Sequence, residues 1–170
     1  MNLQKMFEMQ AELDDRIIRE KGLEGQDLLP GLILALQVEL AECANEWRGF
    51  KIWSNDQQPR EEKLLEEYVD CLHFILSIGN RIEYSQNNDV SQLTKYLLAI
   101  SGVHAFLALY HEINNFYSEH EHVRGRHIFY ERIFRSFIEL GDSLGFTLDQ
   151  IEKAYTEKNA VNHKRQQEGY

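Results

Sequence analysis

The stretch "LLEEYVDCLHFILSIGN", Leu64–Asn80, decides the fold. Wound at 100° per residue, it places Leu65, Val69, Leu72 and Leu76 on one side and Leu64, Cys71, Phe74 and Ile78 on another. A segment this long and apolar nearly all round predicts a buried helix, not a strand. Two acids interrupt it. Glu67 falls between Leu64, Cys71, Phe74 and Ile78 on the wheel, and Asp70 sits one turn later at the margin of that stripe. A buried, unpaired carboxylate costs roughly several kcal/mol and therefore shifts its pKa or finds a partner.

The partner is suggested by "VELAECANEW", Val38–Trp47, inside a second helical pattern. There Leu29, Ile33, Leu36, Leu40 and Trp47 form the core stripe, and Glu39, Glu42 and Glu46 form a band along its edge. A Glu-x-x-Glu pair alone is commonly a solvated face, and Glu46 also suits a solvent-facing position. Two helices that each place acids at i and i+3 can aim four carboxylates, Glu39, Glu42, Glu67 and Asp70, at one point. Such hard oxygen ligands suit Mg²⁺, with Mn²⁺ as a substitute.

The rest of the chain supports an all-α protein. Only Pro30 and Pro59 are present, alternating β-branched runs are absent, and 3.6-residue periods dominate. The expected helices cover about residues 2–20, 27–47, 60–83, 91–117, 127–144 and 148–167, a bundle of five to six helices. Asp27 is the expected N-cap of the second helix, with Pro30 in its first turn. Thr147 and Gln150 form a capping-box pattern for the last. "GLEGQ", "RGFKIWSNDQQP", "SQNNDVS" and "SEHEHVRGR" are the expected breaks.

The bulk properties bound the function. At 170 residues a single domain, 1–170, is expected. The net charge of −10 disfavours duplex nucleic acid and anionic membranes as partners. No apolar run is long enough for a transmembrane helix, and the N-terminus lacks the layout of a signal peptide. Cys43 and Cys71 are too few for a disulfide framework and suggest a reduced, cytoplasmic protein. An anionic substrate would need its repulsion neutralised, for which a divalent metal is the economical means.

These residues resemble a family. Glu39-x-x-Glu42, 24 intervening residues and Glu67-x-x-Asp70 look like the signature of the all-α nucleoside triphosphate pyrophosphatases, which include the dimeric dUTP diphosphatases and the MazG-type enzymes. "MFEMQAELD", "ELAECANEWRGFKIWS", "EEYVDCLHFILSIG" and the tail "AYTEKNAVNHKRQQEGY" are similar to the dimeric dUTPase branch, above all its phage and Gram-positive bacterial members. The tail spacing Lys158-Asn159-x-x-Asn162-x-x-Arg165-Gln166 is the most specific element, and residues 85–145 carry little of the resemblance. It implies hydrolysis of dUTP, and of dUDP, to dUMP by a homodimer. It also implies Mg²⁺ held by the four acids, with Glu39 activating the attacking water and Glu42 mainly a ligand.

The remaining candidates are weighed on the same basis. Gln10 shares a stripe with Phe7 and Leu13, where an amide can read a uracil edge or bond the backbone. The resemblance matches it to a base-reading glutamine. Lys51 can meet phosphate. Trp47 and Trp53 can wall a base pocket or pack on the core, and the resemblance favours Trp53. Phe74, one turn after Asp70, reads as core from sequence; the resemblance packs it on the deoxyribose. His73 reads as a satisfied structural histidine or a second-sphere donor. Lys158 and Arg165 can neutralise phosphate, and Asn159 and Asn162 can bind base or sugar; without the resemblance they are a polar helix end. His120, His122 and His127 lack the partners of a zinc site and read as a solvated loop.

Three alternatives remain open: a related pyrophosphatase with another pyrimidine preference, a di-iron carboxylate bundle built on Asp70-x-x-His73 and Glu119-x-x-His122, and a non-enzymatic helical interaction protein.

Overall fold

A computed structural model describes residues 1–94, 101–120 and 123–169. Among these, seven α-helices and no strand are found: α1 (Leu3–Lys21), α2 (Leu29–Trp47), α3 (Glu61–Arg81), α4 (Tyr84–Asn87), α5 (Val103–Glu119), α6 (Val123–Ser143) and α7 (Leu148–Gln167). A 3-10 turn, Val90–Thr94, lies between α4 and α5. The all-α bundle agrees with the sequence pattern; the count of seven corrects the expected five to six.

The differences are local. The single helix expected over 91–117 is instead a 3-10 turn and the separate helix α5, with residues 95–100 outside the described set. Gly102 precedes α5 with φ 59° and ψ −136°, a conformation that ends helical continuity and favours glycine. The polar run after Tyr117 is not one long loop. α5 continues to Glu119 and α6 begins at Val123, while His122 lies outside the described residues. α4 occupies part of an expected break.

Several helix ends form as their residues dictate. Asn2 accepts from the Lys5 amide, and Gly22 closes α1 in the left-handed region while Leu23 N–H reaches Ile18 O. The capping box of Thr147 and Gln150 is complete. Asp27 stands one residue outside the N-cap position, yet its carboxylate accepts from the Leu29 amide at 3.1 Å.

α3 lies at the centre and packs against α2, α1, α7 and α6. Its buried residues include Leu64, Tyr68, Val69, Leu72, Ile75, Leu76 and Ile78, so both of its apolar sides are covered, as its sequence requires. Two tyrosines anchor its polar backbone to α6: Tyr68 donates to Phe137 O at 2.8 Å and Tyr130 donates to Ile75 O at 3.0 Å. Tyr68 stacks on Phe137, and a Cβ at Gly141 would overlap its hydroxyl. The arrangement holds the acids of α3 against α2 and its polar residues against α1 and α7.

Candidate active site

The acids meet where α2 crosses α3. Glu39, Glu67 and Asp70 each bring a carboxylate oxygen within 4.8 Å of the others, and each is half-buried. Glu42 is exposed and stands outside this triad, but its charge still reaches Glu39 and Glu67. Glu46, the third acid of the α2 band, instead pairs with Arg60 at 3.2 Å.

Crowding of like charge marks the cluster. Glu39 is pushed up to about 7, first by burial and then by Asp70, Glu42 and Glu67. Glu67 is raised by burial and by Asp70, Glu42 and Glu66. Asp70 is raised by burial even though Lys158 opposes the shift. Lys158, from α7, places its Nζ 2.7 Å from Asp70 Oδ2 and 2.8 Å from Glu66 Oε1. Lys158, with the Arg165 charge also acting on Asp70, does not offset the crowding, since all three acids stay raised, and the clustered carboxylates fit a divalent cation with oxygen preference. Among the described residues no histidine or cysteine joins the cluster.

One turn further along α3 a cavity of about 430 Å³ opens between α1, the start of α2, α3 and the end of α7. Leu13, Ile17, Leu28, Leu32 and Phe74 give it apolar walls, while Asn162 and Arg165 line it from α7. The half-buried Phe74 stands between the acids and this space. At the back, Gln10 is only 3% exposed. Its Nε2 donates to Asp14 Oδ1 (2.8 Å) and Ser77 Oγ (3.0 Å), and its Oε1 accepts from Tyr155 OH (3.0 Å) and faces His73 Nδ1 (2.7 Å). Both donors and both lone pairs of the amide are thus engaged. Ser77 also donates to Asp14 at 2.9 Å, and burial lifts the Asp14 carboxyl to about 6 against these bonds.

Of the sequence candidates, Gln10, Phe74, Asn162 and Arg165 line the cavity, and Lys158 joins the acids. Asn159 is buried between these positions on α7, and its Nδ2 has no hydrogen-bond partner. Lys51 and Trp53 lie on the connector, away from both places. Trp53 is 74% exposed with its ring edge on Phe50, and Lys51 Nζ reaches Asn45 O at 3.4 Å. Trp47 packs on Phe106 and not on the cavity. The connector is pinned by Arg48, whose guanidinium bonds Asp56 O and pairs with the Asp56 carboxylate.

Asp14, Ser77 and Tyr155 escaped the sequence reading. A signal existed: Gln10 and Asp14, and His73 and Ser77, are polar pairs at i, i+4 within helices whose other inward residues are apolar.

The protein-family model described as dUTPase matches residues 2–170. No curated protein matches the chain.

Proposed function

The chain belongs to the dUTPase family, the all-α type, and is a dUTP diphosphatase that hydrolyses dUTP to dUMP; on that premise we propose that Mg²⁺, replaceable by Mn²⁺, is its metal and that dUDP is a second substrate. The observation that carries this reading is the convergence of Glu39, Glu67 and Asp70 from two helices, with too little positive charge beside them.

Glu39, Glu67 and Asp70 would hold the metal, with Glu42 closing the set from the solvent side. When bound, the metal neutralises the phosphate chain and lowers the pKa of a coordinated water. Glu39 takes the proton of the attacking water, as a carboxylate within the cluster can. Lys158 and Arg165 bind phosphate oxygens, and Lys51 reaches them from the connector. Gln10, Phe74, Asn159 and Asn162 enclose the nucleoside, with Phe74 against the deoxyribose, and the family resemblance assigns Trp53 to the base.

We place the enzyme in the cytoplasm as a single domain. No helix among the described residues is long and apolar enough to cross a membrane. A homodimer is supported by exposed apolar side chains on two packed helices: Leu34 and Val38 one turn apart on α2, and Val103 and Leu107 one turn apart on α5. Tyr110 OH donates to Gln37 O between these helices. Leu34→Glu should halve the mass seen in light scattering; an unchanged mass would remove this face from the interface.

The test of the whole reading is a panel of dUTP, dUDP, dCTP, dTTP and UTP with Mg²⁺, Mn²⁺ or chelator. Release of dUMP from dUTP and dUDP that stops with chelator supports it. Turnover without divalent metal, or preference for another nucleotide, would overturn it.

A further inference from the structure

We propose that Glu66 is a positioning residue: it receives the Lys158 ammonium when a divalent ion claims Asp70, so that the lysine passes from one carboxylate to the other. The proposal rests on the metal-binding reading of the acid cluster.

Glu66 and Asp70 stand at i and i+4 on α3, so both turn toward α7 on one face of the helix. Lys158 Nζ lies between them, 2.7 Å from Asp70 Oδ2 and 2.8 Å from Glu66 Oε1. The two carboxylates are not equivalent. Asp70 belongs to the triad with Glu39 and Glu67, and Glu66 stands outside it. The Asp70 side chain is 18% exposed and the Glu66 side chain 54%, so the ammonium sits between an inner and an outer anion. Burial works against the lysine's charge, and its hydrogen bonds to Asp70 and Glu66 outweigh that cost. The same contact holds Glu66 below the usual carboxylate range, with the charges of Arg165 and Lys63 acting in the same direction.

A divalent ion held by the triad takes Asp70 as an oxygen ligand. An ammonium on the same carboxylate then stands a few ångströms from a doubly charged ion, in a half-buried place, and the two repel. The lysine is the cation that can yield. It rides on a flexible four-carbon stem, and a second anion already touches it. On moving it keeps Glu66 and frees the donor that Asp70 held. An ammonium has three N–H donors, so the freed one is open to a phosphate oxygen. With Glu66 neutral, Asp70 is the better anion, and the lysine competes with the metal for it. Lys158 therefore weakens metal binding in the empty site, and Glu66 relieves that competition. A plain tie between α7 and α3 would use the same two bonds but would have no reason to release Asp70.

Mn²⁺ binding without nucleotide, followed by the paramagnetic resonance of the free ion at physiological ionic strength, tests the exchange. The parent, Glu66→Gln, Lys158→Met and the double variant form one cycle. Glu66→Gln should weaken Mn²⁺ binding about tenfold in the parent. In the Lys158→Met background the same change should cost about twofold or less, the screened effect of one exposed charge. An equal loss in both backgrounds would mean that Glu66 acts through its charge alone, and it overturns the proposal. No loss in the parent overturns it as well.

A crystal of the parent grown with Mn²⁺ supplies the second arm and needs no substitution. Lys158 Nζ should leave Asp70 Oδ2 and keep Glu66. A lysine still bonded to Asp70 beside bound metal overturns the exchange. A parent that binds no Mn²⁺ defeats the metal reading itself, which separates the two failures.

Discussion

Along α3, Glu67 and Asp70 stand one turn before His73 and Ser77, yet the two pairs live in different electrostatic surroundings. The acids face Glu39 and Glu42 from α2; Lys158 pairs with Asp70, and the charge of Arg165 reaches Asp70 as well. His73 and Ser77 face Gln10, Asp14 and Tyr155, where nearly every donor has an acceptor. Both places bury polar groups at a cost, and they recover it differently. The inner network satisfies itself within the chain, apart from His73 Nε2. The acidic cluster is left with surplus negative charge, which a divalent ion removes. Satisfied groups hold a shape, and unsatisfied ones announce a ligand.

The largest expected effect breaks the comparison at the acids. Glu39→Gln should lower kcat about 10³-fold, the loss of a proton acceptor, while nucleotide binding remains measurable. The same change removes a destabilising charge, so the metal-free variant should melt above the parent at pH 8. Near-normal turnover, or a lower melting temperature, would show that Glu39 is an ordinary surface carboxylate.

Gln10→Leu attacks the other region and should have the opposite signature. It strands the buried Nδ1–H of His73 and loosens Ser77 and Asp14, which costs about 2 kcal/mol in urea unfolding. Stability and dUTP use should both fall, with dUTP use falling further. Full stability would mean that the network is replaceable and that the contrast with the acids is false.

The contrast also marks what the sequence could say. Glu39, Glu67 and Asp70 were legible because helical periodicity is strong and a charge inside an apolar stripe is conspicuous. Gln10 was visible on the same ground. The Gln10–Asp14 and His73–Ser77 pairs were not joined, since hydrogen bonds between helices depend on which faces meet, and a wheel drawn for one helix omits that. Lys158 reads from sequence as a phosphate ligand, and its pairing with Asp70 and Glu66 was not legible there, since the acids a cation on α7 reaches depend on how α7 packs against α3. The helix expected over 91–117 failed because composition does not register a backbone turn such as Gly102.

A pH series sharpens the comparison with a smaller effect. Glu39 is raised from an ordinary 4.5 to about 7, so the native state holds a proton that the unfolded chain has lost between those values. By linkage, metal-free stability contributed by this group falls as pH rises through that window. Glu67 and Asp70 shift in the same direction. Asp14, raised to about 6, adds to this slope, whereas His73, lowered to about 3, works against it below 6.5. Metal relieves only the cluster acids, so the gain in melting temperature on adding Mg²⁺ isolates them. That gain should be small near pH 5 and grow toward pH 8, because metal and protons compete for the same oxygens. A gain independent of pH would place the metal elsewhere.

The smallest expected effect concerns Glu46, which shares the α2 band with Glu39 and Glu42 but not their surroundings. Its carboxylate meets the Arg60 guanidinium through both oxygens at 3.2 Å, and its backbone carbonyl accepts the Arg60 amide at 3.0 Å. The pair ties the end of α2 to the start of α3, with the arginine half exposed to water. An exposed pair of this kind contributes about 0.5 kcal/mol or less. Glu46→Gln keeps one oxygen for Arg60 and leaves the backbone bond untouched. Melting temperature and kcat/KM for dUTP should therefore both stay close to the parent values. A loss of turnover approaching that of Glu39→Gln would mean that the metal-binding set extends one turn further along α2 than the geometry places it. A pH-dependent loss of stability in this variant would instead mean that Arg60, released from Glu46, reaches the neighbouring acids and takes over part of the neutralisation otherwise left to Lys158 and the metal.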